Sequence, residues 1–290
     1  MSESTPIVTQ SELIAGLREV GLHAGIRVMV HSSLKSFGQA DGGPLMVIRA
    51  LQEVVTRDGT LLLPSFNHMR IFTDEGAPWW DATGSRSTNG IIPDTFWRQK
   101  GVLRSWDPSH PFAAWGKDAR RYTEFHHRTI TMGEDSPLGM LWRDGGYGLL
   151  LGVTYNANTF HHVVECSRRA PCVGYRTESL PMKLPDGRVV EGRTWSWRNK
   201  ACPITDEGRY HRFMFERSLH RQVKIGNATV TLFKLQDCYD VIAPLLEHGC
   251  EGFPPCSQCP IRHLVSEHTV ESDWDMARSC LKSDSPALRY

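Results

Sequence analysis

The segment TFHHVVE, residues 159–165, sets two imidazoles and a carboxylate within about two helical turns. On a helix opening near Thr159, Phe160, Val163 and Val164 share one side and turn toward a core, leaving His161, His162 and Glu165 on the other. Spacings of three (His162 to Glu165) and four (His161 to Glu165) let either ring reach the carboxylate. A carboxylate bonded to one ring nitrogen fixes the tautomer and makes the other nitrogen a better base near neutral pH, which is what proton removal from a substrate requires. The same spacing also describes a solvated helix face with a weak His–Glu contact, the commoner arrangement.

Three other groups have chemical potential. The loop HSSLKSFG, residues 31–38, presents small hydroxylic residues at a strand end, ahead of glycines and a helix start, so backbone amides and hydroxyls can meet a phosphate or an amide-rich ligand. It lacks the spacing of a nucleotide P-loop and of a dinucleotide fingerprint. Near the end of the chain, Cys250, Cys256, Cys259 and His263 in HGCEGFPPCSQCPIRH have a spacing that suits a structural zinc site of three sulfurs and one nitrogen, or ordinary packed thiols. His68, His110, His126, His127, His161 and His162 are enough imidazoles for a catalytic metal, and so for a metal-dependent hydrolase, but none has the paired spacing of the common metalloproteases.

The elements that must carry these residues alternate. Thr9 and Ser11 precede Leu13, Ile14, Leu17 and Val20, the spacing of a capped amphipathic helix that Gly21 closes. A buried strand over 26–30 leads into the HSSLKSFG loop, then a helix from Pro44 to Val55 and a second strand, TLLLPSF. Residues 67–87 read as a long surface loop. A helix is expected over 93–99, a strand near Val102, and no helix in RSWDPSHPFAAWG, because its Asp-Pro and His-Pro pairs disfavour one. Helix over 117–127, a turn at GEDSPLG and a strand over 147–153 follow. After the TFHHVVE helix, strands are expected over 175–183, 193–198 and 229–233, with helices over 210–221 and 237–247. Strand, loop, helix, strand in this order predicts an α/β protein.

With 33 Lys and Arg against 32 Asp and Glu, the chain lacks the broad field that gathers a protein onto nucleic acid or an anionic membrane, and a small molecule is the expected partner. No run approaches the roughly 20 apolar residues of a membrane helix, and MSESTPIVTQ does not read as a secretion signal. Cytoplasm is the expected compartment, where cysteines stay reduced or bind metal.

Taken in order, VMVHSSLKSFG with the following DGG, GTLLLPSF, RSWDPSHPFAAWG, GEDSPLG, LLGVTYNANTFHHVVE and VKIGNATVTLF resemble the aminoglycoside 3-N-acetyltransferase family, from about Val28 to Phe233. The resemblance implies one α/β domain over 1–290, in three layers with helices on both faces of a mixed sheet, and a cysteine-containing tail over 248–290. It implies acetyl-CoA as co-substrate, held by His31, Ser32, Ser33, Lys35 and Ser36 of the strand-end loop, by Ser136 of the Ser-Pro-Leu-Gly turn and by Ser65, with His110 lining the same cavity. The family's asparagine-threonine, histidine, glutamate pattern falls on Asn158, Thr159, His162 and Glu165, which selects His162 over His161 as the base. The implied reaction is direct acetyl transfer to an amine of an aminoglycoside or a similar amino compound. Asn156 stands where many relatives carry an acid. A relative that keeps coenzyme A affinity without turnover is the non-catalytic alternative.

Overall fold

The computed structural model describes residues 7–67, 80–173, 175–176, 180–192, 195–196 and 200–261. The first helix, α1 (Gln10–Val20), starts as its sequence dictates: the Thr9 hydroxyl accepts from the Glu12 amide, and the Glu12 carboxylate accepts from the Thr9 amide at 2.8 Å. It ends at Gly21, whose φ of 112° suits the residue without a β-carbon. In chain order there follow β1 (Arg27–Ser32), α2 (Gly43–Val55), β2 (Thr60–Pro64), α3 (Ile91–Phe96), β3 (Leu103–Arg104), β4 (Phe112–Gly116), α4 (Ala119–Thr123), α5 (Pro137–Arg143) and β5 (Tyr147–Leu151). The last elements are α6 (Phe160–Ser167), α7 (Tyr210–Glu216), β6 (Arg221–Ile225), β7 (Ala228–Lys234) and α8 (Leu235–His248).

Seven strands form one mixed sheet in the order β6-β7-β5-β1-β2-β4-β3. The three central strands, β5, β1 and β2, are parallel, and antiparallel strands extend the sheet on both sides. Central strands buried on two faces read as continuous apolar runs, as RVMV, TLLL and GLLL do. Their side chains alternate between two cores. Val28, Val30, Leu61, Leu63, Leu149 and Leu151 pack with α1, α2 and α3 residues such as Leu13, Val47 and Phe96, whereas Met29, Leu62 and Leu150 pack with Tyr122, Leu138, Val163 and Met214 of α4 to α7. This is the three-layer α/β architecture expected from the sequence.

Several elements differ from their expected form. Phe112–Gly116 is a strand, because FAAWG supplies enough apolar surface to pair with β2 once the prolines are passed. The GEDSPLG turn opens α5, with the Ser136 hydroxyl accepting from Gly139 as cap and Pro137 in the first turn. The helix expected over 210–221 stops at Glu216, and Arg221 begins β6. Of the long loop over 67–87, residues 68–79 lie outside the described residues. Trp80 and Asp81 form a short strand parallel to Met182–Lys183, and Trp80 is fully buried in a small third core with Ala82 and Met182. Arg104 lies over the rings of both Trp80 and Trp97 and donates to the carbonyls of Ser65 and Ser85, tying this small sheet to the end of β2.

Candidate active site

The carboxyl ends of the parallel strands β1, β2 and β5 come together at one edge of the sheet, where an α/β protein carries its ligand crevice. His31 and Ser32 end β1, and Pro64 closes β2. After β5 the chain turns sharply at Gly152, whose φ is 72° and where a β-carbon would overlap the Ser36 hydroxyl. Tyr155–Ala157 then form a single 3₁₀ turn before α6. Asn158 organises this start: its side-chain oxygen accepts from the Phe160 amide at 3.2 Å, and its amide nitrogen lies 3.2 Å from the Tyr210 hydroxyl.

A cavity of about 200 Å³ opens here, lined by His31, Ser32, Phe66, His110, Thr159 and His162 among others. His162 reaches it from α6, and its Nδ1 lies 2.9 Å from Glu165 Oε2. The side chain of His162 is 21% exposed and that of Glu165 only 1%. Glu165 is therefore not on a solvated helix face, as its spacing suggested, but inside the protein. Its second oxygen accepts a hydrogen bond from the Thr205 hydroxyl, 40 residues away in sequence. A buried carboxylate needs such donors, and they hold its orientation toward His162. His161 is also buried rather than solvated: its Nε2 lies 3.3 Å from Asp206 Oδ1, and its ring meets that of His162 edge to face at 4.1 Å. Burial, then the neighbouring His162, lowers the pKa of His161, with Asp206 and Glu165 opposing.

His31 behaves differently from a phosphate-binding cation. Burial, reinforced by repulsion from His161, pushes its pKa down to about 3, so it is neutral at working pH. The Thr159 amide points at His31 Nε2 from 3.4 Å, which requires an unprotonated nitrogen there. His110 is fixed by its loop: Asp107 Oδ1 accepts from the amides of Ser109 (2.9 Å) and His110 (2.7 Å), and the Ser109 hydroxyl lies 2.7 Å from His110 Nδ1.

The other expected site residues spread outward. Ser33 is tied by its amide to Leu151, and Ser36 donates its hydroxyl to the Ser33 carbonyl at 2.6 Å, so both shape the loop beyond His31. Lys35 is exposed in that loop. Ser65 is fully buried at the end of β2, and Ser136 is fully buried as the cap of α5. Cys250 and Cys259 are buried and Cys256 is half-buried in the same part of the core; burial, then Glu251, raises the pKa of the Cys250 thiol, with Arg209 and Arg212 opposing. His263 and His68 lie outside the described residues. His126 serves the fold, with Nδ1 2.9 Å from the Ser105 hydroxyl and Nε2 2.9 Å from the Thr131 carbonyl, and His127 packs on Trp106. Asp206 lies at the histidines, while Asp81 and Asp135 pair with Lys183 and Arg143.

Sequence reasoning missed Thr205 and Asp107, and offered Asp206 only as an acid that could add charge for a cationic substrate. Asp107 had a signal, since an aspartate two and three residues ahead of the amides it accepts is a local turn former. Thr205 had none, and nothing set Asp206 beside His161, because only the folded chain brings the 202–206 loop against α6.

A histidine steadied by a buried carboxylate opens on a crevice at the strand ends of a three-layer α/β sheet, an arrangement suited to a small-molecule site. Residues 29–247 match the family model described as aminoglycoside 3-N-acetyltransferase. The chain is 34% identical over 268 residues to aminoglycoside N(3)-acetyltransferase VII of Streptomyces paromomycinus, covering 80% of this chain and 89% of that protein. It is 29% identical over 268 residues to the aminoglycoside N(3')-acetyltransferase-like protein YokD of Bacillus subtilis, covering 80% of this chain and 90% of the relative. The solved structure of AAC-IIIb with CoASH superposes with a TM-score of 0.73 at 25% identity, over 83% of this chain and 97% of the other. The chain belongs to the aminoglycoside 3-N-acetyltransferase family, whose members are acyltransferases.

Proposed function

We propose that this protein moves the acetyl group of acetyl-CoA directly onto an amine of an aminoglycoside or a related amino compound, with His162 as general base. The observation that carries this reading is the 2.9 Å contact between His162 and the buried Glu165 at the edge of the strand-end cavity. The CoASH bound to AAC-IIIb supports the acyl donor, and the name of the Streptomyces relative supports the acceptor class.

An amine on a sugar is largely protonated near neutral pH, so nitrogen becomes a nucleophile only after a base removes its proton. With Glu165 accepting from Nδ1, the basic lone pair of His162 sits on Nε2. The deprotonated nitrogen attacks the thioester carbonyl, the tetrahedral oxyanion collapses, the carbon–sulfur bond breaks and coenzyme A leaves as thiolate, which takes up the proton. Backbone amides of the strand-end loops would face the oxyanion. No enzyme residue is acylated, so Cys166 and Cys172 need not act as nucleophiles. The reading places the protein in the cytoplasm, with its acyl donor; no helix among the described residues is long and apolar enough to cross a membrane.

The test is thiol release from acetyl-CoA with a panel of aminoglycosides and other amines, repeated for His162→Ala and Glu165→Gln. Release that depends on the amine and collapses in both variants is expected; full activity in both refutes the assignment. The competing metal-hydrolase reading has one observation behind it: ligand atoms of His161, His162 and Asp206 lie within 4.8 Å of one another. It requires activity that a chelator abolishes and that needs no acetyl-CoA. A non-catalytic relative would bind acetyl-CoA in calorimetry and release no thiol with any amine.

A further inference from the structure

The proton transfer proposed for His162 gives His161 and Asp206 no direct task, yet the fold gathers both into one cluster with it. Ligand-capable atoms of His161, His162 and Asp206 all lie within 4.8 Å of one another. Adjacent residues on a helix ordinarily diverge. Here the rings of His161 and His162 meet edge to face, with centroids 4.1 Å apart. Asp206 arrives from the 202–206 loop, where its Oδ2 accepts from the Cys202 amide at 2.7 Å and its Oδ1 lies 3.3 Å from His161 Nε2.

His161 is the residue whose surroundings call for a ligand. Its side chain is 5% exposed, and among the described residues neither ring nitrogen makes a hydrogen bond of good geometry. A buried imidazole in that state has room for an ion among its partners. The 3.3 Å between Nε2 and Oδ1 matches one edge of a tetrahedron around zinc, because bonds of about 2.0 Å to nitrogen and oxygen set neighbouring ligand atoms about 3.3 Å apart. A small turn of the His162 ring brings in the third ligand. Outer partners are in place as well: Glu165 lies 2.9 Å from His162 Nδ1, as carboxylates behind metal-bound imidazoles commonly do, and the Cys202 amide fixes Asp206. His162 and Asp206 are partly exposed, which gives an ion a way in from solvent and lets water supply a fourth ligand.

We propose that His161, His162 and Asp206 form an inhibitory site for one divalent transition-metal ion of the zinc type. Two neutral imidazoles and one carboxylate donate to the ion with no change of oxidation state, and His161 carries its ring proton on Nδ1 so that Nε2 is free to bind. An ion on His162 Nε2 occupies the lone pair that accepts the proton of the amine. An ion on Nδ1 displaces Glu165. Either way the base is lost. The inhibition rests on the reading of His162 as base, whereas the binding does not. Its sign is opposite to that of a metal-dependent hydrolase, which needs the ion.

The test uses the full chain stripped of metal, with acetyl-CoA and an aminoglycoside as substrates. Acetylated amine is measured by mass spectrometry while a metal buffer fixes free zinc, so that zinc held by released coenzyme A does not distort the result. Activity should fall as zinc rises through the micromolar range and return when EDTA is added. Cobalt(II) in place of zinc should bind as one ion per chain, with visible ligand-field bands and without the intense near-ultraviolet absorption of a thiolate ligand. His161→Gln and Asp206→Asn, each scored against its own zinc-free rate, should need at least about tenfold more zinc for half-inhibition. If these variants do not fold, the unmodified protein decides through its cobalt spectrum and through agreement between the zinc midpoints for binding and for inhibition. Cobalt binding that disappears in His161→Gln would uphold the site even if no amine is acetylated, so failure of the catalytic reading and failure of this one are separable. Full activity in zinc well above the micromolar range, thiolate absorption in the cobalt protein, unchanged zinc sensitivity in both variants, or activity that EDTA abolishes would overturn the proposal.

Discussion

Replacing Glu165 by Gln keeps the shape of the side chain and removes its charge, so it isolates what the carboxylate does for His162. When His162 takes the proton of the amine, a unit positive charge forms on a ring whose Nδ1 lies 2.9 Å from Glu165 Oε2. With charge centres roughly 4 Å apart and an effective dielectric of about 20, the attraction is about 4 kcal/mol. Glutamine can still accept from Nδ1 through a neutral hydrogen bond, which recovers about 1 kcal/mol. The transition state for proton transfer therefore loses about 3 kcal/mol, or roughly a hundredfold in kcat. KM for acetyl-CoA should change little, because Glu165 is buried behind His162 and does not line the cavity. Initial rates of thiol release at saturating acetyl-CoA and amine measure this, with a thermal melt to confirm folding. A folded Glu165→Gln protein with kcat within about threefold of the unmodified enzyme would refute the reasoning.

Thr205→Val removes the hydroxyl that holds the second oxygen of Glu165 without changing the shape of the side chain; with a hydrogen bond to a buried charge worth about 1.5–3 kcal/mol, kcat should fall about tenfold or more and the melting temperature should drop. His31 is held neutral down to about pH 3, whereas an unfolded imidazole titrates near 6.5, so below 6.5 protons bind the unfolded chain preferentially and stability falls as pH falls. Urea denaturation should show about 2 kcal/mol of stability lost from this group between pH 6.5 and about 5, a loss that His31→Gln lacks. Gly152→Ala places a β-carbon at φ 72° against the Ser36 hydroxyl, so it should cost about 2 kcal/mol or more in thermal or urea melts and raise KM for acetyl-CoA by disturbing the 33–36 loop.

What the sequence makes legible follows from how local each cause is. The cap of α1, the glycine that ends it and the three central strands depend on neighbouring residues and on burial of both sheet faces, and all were readable. Strand β4 was obscured because the prolines before Phe112 disfavour helix and say nothing about the pairing with β2. The pair His162–Glu165 was legible from its spacing of three, but its burial was not, since that depends on the distant loop bearing Thr205 and Asp206. Ser136 was legible as part of a motif but not as a helix cap, a role that follows because Pro137 and Gly139 behind it begin α5.

Three imidazoles crowd this edge of the sheet, and their surroundings differ in ways that favour His162 for the proposed role of base. His31 has its Nε2 occupied by the Thr159 amide and hydroxyl and is too buried to accept a proton. His161 faces Asp206 in the interior, and its pKa is lowered by burial and by His162 beside it. His162 alone of the three combines a carboxylate on Nδ1 with a side chain that lines the cavity and keeps partial exposure, so the imidazolium formed there is compensated by Glu165 and relieved by solvent. The lowered pKa values of His31 and His161 work in the same direction, because a second positive charge a few ångströms away would oppose that proton transfer.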